Sequence, residues 1–299
     1  MNRQLKANLG LLMVAILWGT TFIYTKDVLY AMETFNFLAV RFFIASFSCI
    51  IIFYKTFIQI DRETIKSGLI VGIAMFLAYA FQTVGLNYTT ASKSAFISGL
   101  AVVIVPIISS IILKRKPANA SIIAAFISII GLSLLTLDGN LELGRGDILT
   151  LICAFGFASH IVSVSTYAPR VNPINLTIVQ LLVVAVLSLI ASFIVGTPII
   201  PQGTYVWSRI LFLAIVCTSG AFLIQNVAQK NTNATHAALI LSSEPLFAAI
   251  FAFIILGEIL PFRGFVGGIL ILFSIIISEV NIPTHIFTFK IRKLRGSVS

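Results

Sequence analysis

Charge is the scarcest ingredient of this chain. Only 10% of its 299 residues are Asp, Glu, Lys or Arg, where a soluble domain carries roughly 25%. A water-facing surface cannot be built from so little, so the chain reads as an integral membrane protein. Acidic residues are scarcer than basic ones, 10 against 20, leaving a formal charge of +10. A basic balance can signal nucleic acid, but here the Lys and Arg fill short gaps between apolar runs, where they set topology instead. Cysteine is nearly absent. Cys49, Cys153 and Cys217 lie singly inside apolar runs, which excludes a metal-ligand or redox spacing. Also missing are a P-loop, a dinucleotide fingerprint, HExxH and paired carboxylates. No enzyme chemistry, cofactor or metal is therefore expected.

What is present is apolar length. Ten stretches approach the roughly 20 residues that span a bilayer: 7–25, 35–54, 67–86, 94–113, 121–137, 147–168, 174–195, 207–228, 235–257 and 261–280. None alternates with period two, so they are helices rather than barrel strands. The first opens like a signal peptide, with Arg3 and Lys6 before an apolar run, but it lacks a small-x-small cleavage site and is kept as a helix. With the N-terminus in the cytoplasm, fourteen of the 20 Lys and Arg fall on the inside. Five fall outside (Lys26, Lys93, Arg145, Arg209 and Arg263), and Arg41 lies within a helix. That bias places both termini in the cytoplasm of a multi-pass cell-membrane protein.

Near the midpoint a polar, glycine-rich linker, Asp138-Gly139-Asn140-Leu141-Glu142-Leu143-Gly144-Arg145-Gly146, separates two halves. Sliding one half over the other by about 142 residues sets Thr90–Ala95 beside Thr232–Ala237 and Lys116 beside Glu258. Five helices per half is an odd number, so the halves must be inverted, with a site at the repeat interface near the membrane midplane. The expected division is a first repeat over 1–138, an extracytoplasmic linker over 139–146, a second repeat over 147–280 and a basic cytoplasmic tail over 281–299.

Polar residues inside the apolar runs mark the candidate site. The ninth run carries Ser242, Ser243, Glu244 and Pro245 near its middle. An acid at that depth costs roughly 2.5–3.5 kcal/mol on insertion scales, so it faces protein or a wet cavity. Pro245 removes a helical hydrogen bond and frees a carbonyl one turn earlier. Glu244 either serves a substrate path or locks two helices together. In the first run Trp18-Gly19-Thr20-Thr21 interrupts the apolar sequence; Trp18 offers a flat apolar face, or anchors the helix at the outer interface. Arg41 in the second is expected to snorkel outward or to pair with Glu33, a structural role favoured over contact with substrate. Met75, Tyr79 and Gln82 share a face of the third helix, and Ser94 and Ser98 share one in the fourth. His160 sits midway along the sixth, as a structural hydrogen-bonding group or a proton relay. The eighth supplies Thr218, Gln225, Asn226 and Gln229, and Gly264 with Gly268 in the tenth reads as a packing patch. No deep Lys or Arg occurs in the second half, which disfavours organic phosphates as cargo.

These residues resemble the ten-helix, EamA-like members of the drug/metabolite transporter superfamily. The resemblance rests on Trp18-Gly19, Arg41, the run Thr89-Thr90-Ala91-Ser92-Lys93-Ser94-Ala95-Phe96 and Lys114-Arg115-Lys116-Pro117. In the second half it rests on Ala237-Ala238-Leu239, Glu244-Pro245 and Leu256-Gly257-Glu258. It covers the chain apart from the basic tail. It implies two inverted five-helix repeats around a cavity lined by the first, third, fourth, sixth, eighth and ninth helices, and ATP-independent export or exchange of small metabolites, commonly amino acids. The chain departs from a symmetric pattern at Val102-Val103, which stand opposite Glu244-Pro245 and leave one central acid.

The expectation is thus an all-α membrane protein acting as an alternating-access secondary transporter, an exporter of a small neutral or zwitterionic metabolite such as an amino acid. Trp18, Tyr79, Gln82, Ser98, His160, Gln225 and Glu244 are the expected substrate-contacting residues. The alternatives are a membrane scaffold or receptor that moves nothing, and a lipid or drug translocator of the same fold. The partners called for are a small molecule and the lipid bilayer, not nucleic acid, and nothing demands more than a monomer.

Overall fold

The structure, a computed structural model, describes residues 3–114, 117–136, 144–256 and 261–279. Most of the expected linker, Arg115, Lys116, Gly257, Glu258 and the basic tail lie outside the described residues. Among those described there are helices and no strands. We number the membrane helices α1 (Arg3–Gly19 and Thr21–Leu29), α2 (Thr34–Ile52), α3 (Arg62–Leu86), α4 (Ala91–Gly99 and Ala101–Leu113) and α5 (Asn119–Thr136). The second half supplies α6 (Arg145–Tyr167), α7 (Pro173–Val195), α8 (Thr204–Leu211, Phe212–Gly220 and Ala221–Gln229), α9 (Ala234–Leu241 and Glu244–Leu256) and α10 (Phe262–Glu279). Eight are long and apolar enough to cross a membrane, and α5 and α10 are shorter apolar helices.

Helix starts follow local chemistry. Asp61 accepts the Thr64 N–H at 2.7 Å and caps α3, and Asn172 accepts the Ile174 N–H at 2.9 Å and caps α7 ahead of Pro173. Proline suits that first turn because its missing N–H would be unpaired there anyway.

The packing has a two-fold plan. The helix α3 packs on α6 as α8 packs on α1, and α4 packs on α6 as α9 packs on α1. The pairs α2 with α7, α4 with α9 and α5 with α10 map onto themselves when the halves are exchanged. Five helices on each side of that relation run in opposite senses, so the chain is an inverted repeat. The structural register is one residue off the alignment read from sequence. The cap Thr90, which accepts the Lys93 N–H, corresponds to Asn233, which accepts the His236 N–H.

Apolar side chains point both ways, as a bilayer solvent allows. Phe37, Phe42, Met75 and Phe222 are fully buried in one central cluster, while Phe193, Ile194, Phe253 and Phe265 cover the outside. Small residues set the closest helix approaches. A Cβ on Gly156 of α6 would stand 2.8 Å from the Ala78 backbone of α3. On α10 Gly268, one of the expected packing pair, meets Leu246 of α9, and Gly267 beside it faces the Gly131 carbonyl of α5.

Candidate substrate site

The two helices that cross at the centre are both broken there. The helix α4 is interrupted at Leu100 and α9 at Ser242 and Ser243, at equivalent places in the two halves. In oil, a broken helix must satisfy the backbone groups it frees. Ser242 Oγ donates to the Leu239 carbonyl at 2.7 Å and Ser243 Oγ to the Ile240 carbonyl at 2.6 Å. Ser242 also pairs with Ser128 of α5 at 2.9 Å, which ties the break to the neighbouring helix. Glu244 opens the second half of α9, so Pro245 falls in a first turn, where its missing N–H is harmless. The residue at the corresponding place in α4 is Ala101, rather than Val102 or Val103, and the site keeps one central acid.

A third interruption lies in α1 at Thr20, within the Trp18–Thr21 stretch. Thr20 and Thr21 turn their hydroxyls back onto the Leu17 and Trp18 carbonyls at 2.7 and 2.8 Å. Gly19 lets this bend press on α9, since a Cβ there would stand 2.8 Å from the Ala248 nitrogen. The helix α1 runs from Arg3 to Leu29, longer than the apolar run alone predicts, so Trp18 is buried mid-helix and is not an interfacial anchor. Its Nε1 donates to the Cys217 carbonyl of α8 at 2.9 Å, and its ring meets Phe222 at 5.1 Å. That part of α8, Phe212–Gly220, is wound as a π-helix, a feature frequent at functional sites.

All seven residues expected from the sequence border one central cavity. Trp18, Tyr79, Gln82, Ser98, His160, Gln225 and Glu244 line it, with Thr21, Ala101 and Phe157 among their neighbours. His160 pairs with Gln180 of α7 at 3.2 Å and Gln225 donates to Gln229 at 2.8 Å. Ser98 Oγ is turned back to the Ser94 carbonyl at 2.6 Å. Tyr79 packs edge-on against Phe42 and Phe157 at 5.0 and 5.5 Å. Half-buried Glu244 makes no ion pair among the described residues. The cavity measures about 60 Å³, room for roughly four waters at 10–15 Å³ each.

Its two ends are closed by different chemistry. Towards Lys93 lies a vestibule of about 640 Å³ walled by Lys26, Asn87, Tyr88 and Asp147. Asp147 accepts from the Thr89 hydroxyl at 2.6 Å and meets Lys93 at 3.9 Å, clasping α4 to α6. Below it Phe22, Leu86 and Ala95 form an apolar plug, and a neck of only about 10 Å³ joins that plug to the cavity. Towards His236 the closure is polar. Gln229 of α8 donates to the Ile161 carbonyl at 3.0 Å and the Ser165 hydroxyl at 2.7 Å. His236 pairs with Asn8 at 3.1 Å, clasping α9 to α1 as Lys93 and Asp147 clasp α4 to α6.

Arg41 departs from expectation. It is 2% exposed and neither snorkels nor pairs with Glu33, whose carboxyl lies against Gly196. Its Nε donates to Thr218 of the π segment at 2.8 Å, and its guanidinium sits 5.3 Å from the Tyr79 ring centre. No local sequence signal marks this pairing, because Thr218 lies 177 residues away.

Two inverted bundles of five helices, broken where they meet and holding polar side chains in a small central cavity, define the architecture of a polytopic membrane transporter. The EamA-like transporter family matches residues 5–137 and 144–279, once for each half. The chain belongs to that family. An "Uncharacterized transporter" of Archaeoglobus fulgidus is 37% identical over 94% of this chain and 88% of its own length. The "Uncharacterized transporter YoaV" of Bacillus subtilis is 24% identical over 97% of this chain and its full length. A solved crystal structure at 16% identity shares the fold, with a TM-score of 0.77 over 91% of this chain and 96% of that one. The protein is thus a multi-pass transporter of the cell membrane.

Proposed function

We infer that this transporter works by alternating access and carries a small neutral or zwitterionic metabolite, an amino acid or close relative, with export as its net direction. The observation that supports this best is the pair of related clasps at opposite ends of one central cavity. Thr89 and Lys93 hold Asp147 at one end, and Asn8 holds His236 at the other. Equivalent closures made by equivalent helices are what a two-state rocking motion needs, because opening one end while keeping the other shut exchanges their roles. The rocking units are the repeats over 1–138 and 147–280, joined by the linker at 139–146, with the tail over 281–299 at the cytoplasmic surface. Orientation follows the basic bias of the loops, which puts the Lys93 vestibule outside and His236 inside.

The cavity holds only a few waters in the closed state, so a substrate enters by widening it. Serine, amide and aromatic groups on its wall suit a small polar solute with an apolar part.

The test is accessibility. In a background lacking Cys49, Cys153 and Cys217, Ser98→Cys is expected to react with a membrane-impermeant thiol reagent from one face at a time. Asp147→Asn loosens the outer clasp and should raise labelling from outside several-fold; His236→Ala should raise it from inside. Labelling that responds to neither clasp, or that rises from the same face in both variants, contradicts alternating access and favours a static scaffold.

A further inference from the structure

We propose that Arg41 and Glu244 together form a zwitterion site, in which the guanidinium takes the carboxylate of an α-amino acid and the Glu244 carboxylate takes its ammonium group. This rests on the transport reading above and narrows it to one class of substrate.

The hydrogen-bond shell of Arg41 is unfinished. Arg41 has five N–H donors and no acceptor. Its Nε is used by Thr218, yet its Nη2 is buried without a hydrogen-bond partner among the described residues, and Arg41 makes no ion pair there. The rings of Phe37, Phe42 and Tyr79 lie 5.3–5.8 Å from the guanidinium carbon. Such faces stabilise the charge by roughly 0.5–2 kcal/mol, but they offer no acceptor to a guanidinium N–H. A buried donor left unpaired costs about 1–3 kcal/mol, more when charged. A protein that tolerates this inside a membrane has left room for an acceptor that arrives from outside. Arg41 borders the narrow neck beneath the apolar plug, so an anion passing from the vestibule to the central cavity meets it once the neck widens.

Glu244 presents the complementary deficit. It lines the central cavity with no cation paired to it among the described residues. The neck and the cavity are contiguous, because Thr21, Tyr79 and Gln82 are walls of both. A solute lying along that shared wall presents one end to each charge, with the Gln82 amide and Tyr79 beside it. One positive and one negative group, each lacking a fixed partner, match a zwitterion better than a neutral solute, which would leave both unpaired. They match a dianion worse still, since Glu244 would repel it. Thr218 fixes the guanidinium from the α8 side, which aims the remaining N–H groups and limits the entropy lost on binding.

Equilibrium binding to the purified full-length protein tests this without requiring flux. Each of the twenty standard amino acids is titrated beside its own carboxamide, which keeps the ammonium and removes the negative charge, and beside its deaminated acid, which keeps the carboxylate and removes the ammonium, with Trp fluorescence and thermal stability as readouts. At least one amino acid is expected to bind, with its amide weaker by roughly 10- to 100-fold, the loss of a hydrogen bond to a charged group. In Arg41→Gln the amino acid and its amide should bind alike. Arg41→Lys, which keeps the charge, should restore part of the discrimination and guards against a folding defect in the first variant. Glu244→Gln should preserve discrimination against the amide while losing discrimination against the deaminated acid. An amide that binds as well as its parent, or an Arg41→Gln protein that still separates the two, overturns the proposal. Counterflow of a neutral solute with no amino-acid binding overturns it and leaves the transport reading standing. Amino-acid binding with the expected discrimination and no flux of any kind keeps the site and removes the transport reading.

Discussion

Glu244→Ala is expected to lower counterflow exchange by roughly 30-fold or more while leaving the helix content unchanged. The carboxyl stands at the break of α9, on the wall of the central cavity, with no paired cation among the described residues. Truncating one member of a buried charge pair, here formed only when substrate arrives, costs about 2–5 kcal/mol, and that figure sets the fold-change. Folding should suffer little, because Ser242, Ser243 and Ser128 hold the broken turn through their own hydroxyls. Glu244→Gln separates two roles. It keeps the shape and hydrogen bonding but cannot hold a charge, so any dependence of exchange on a pH gradient that runs through this carboxyl should be lost. A wild-type response to the gradient in this variant would remove Glu244 from any coupling role.

The second large effect is steric. Gly19→Val should reduce both stability and exchange, by about 1–3 kcal/mol in stability on the scale of overpacked cores. Even a Cβ at Gly19 would stand 2.8–2.9 Å from the backbone of Phe247 and Ala248, where nothing flexible can yield. The helices α1 and α9 would have to part, and they carry Trp18 and Glu244 on the same cavity. Gly220→Ala is the control. Its nearest neighbour would be the Ile215 carbonyl at 3.5 Å, an ordinary contact, and replacing a helical glycine by alanine stabilises by roughly 0.5–1 kcal/mol. Thermal unfolding in detergent and counterflow on the same preparations distinguish the pair. Equal tolerance of both substitutions would mean that α1 and α9 are not rigidly apposed.

The reasons why some of this was legible in the sequence are physical. Spans of apolar residues register as helices because lipid forces every backbone group to be satisfied internally, so all ten helices were foreseen. Polar residues in such spans are expensive, which is why Tyr79, Gln82, His160, Gln225 and Glu244 stood out and why they turn out to share a cavity. What escaped depends on partners distant in sequence. Arg41 finds Thr218, 177 residues away, and the identity of that partner leaves no local signal. Trp18 looked terminal only because Lys26 and Asp27 end the apolar run before α1 itself ends at Leu29. Gly267 was passed over because a small-xxx-small spacing says which residues are small, not which of them faces α5. The repeat register slipped by one because few side chains are shared between the halves, and the caps at Thr90 and Asn233 were needed to fix it.

Counterflow in proteoliposomes tests the central claim most directly. Vesicles holding the purified protein are loaded with a mixed pool of unlabelled amino acids, and uptake of each labelled one is followed against protein-free vesicles. The account predicts concentrative, transient uptake of at least one amino acid, sharply reduced in Glu244→Ala and in Tyr79→Ala. Absence of uptake for every label, from protein whose fold is intact, would contradict it.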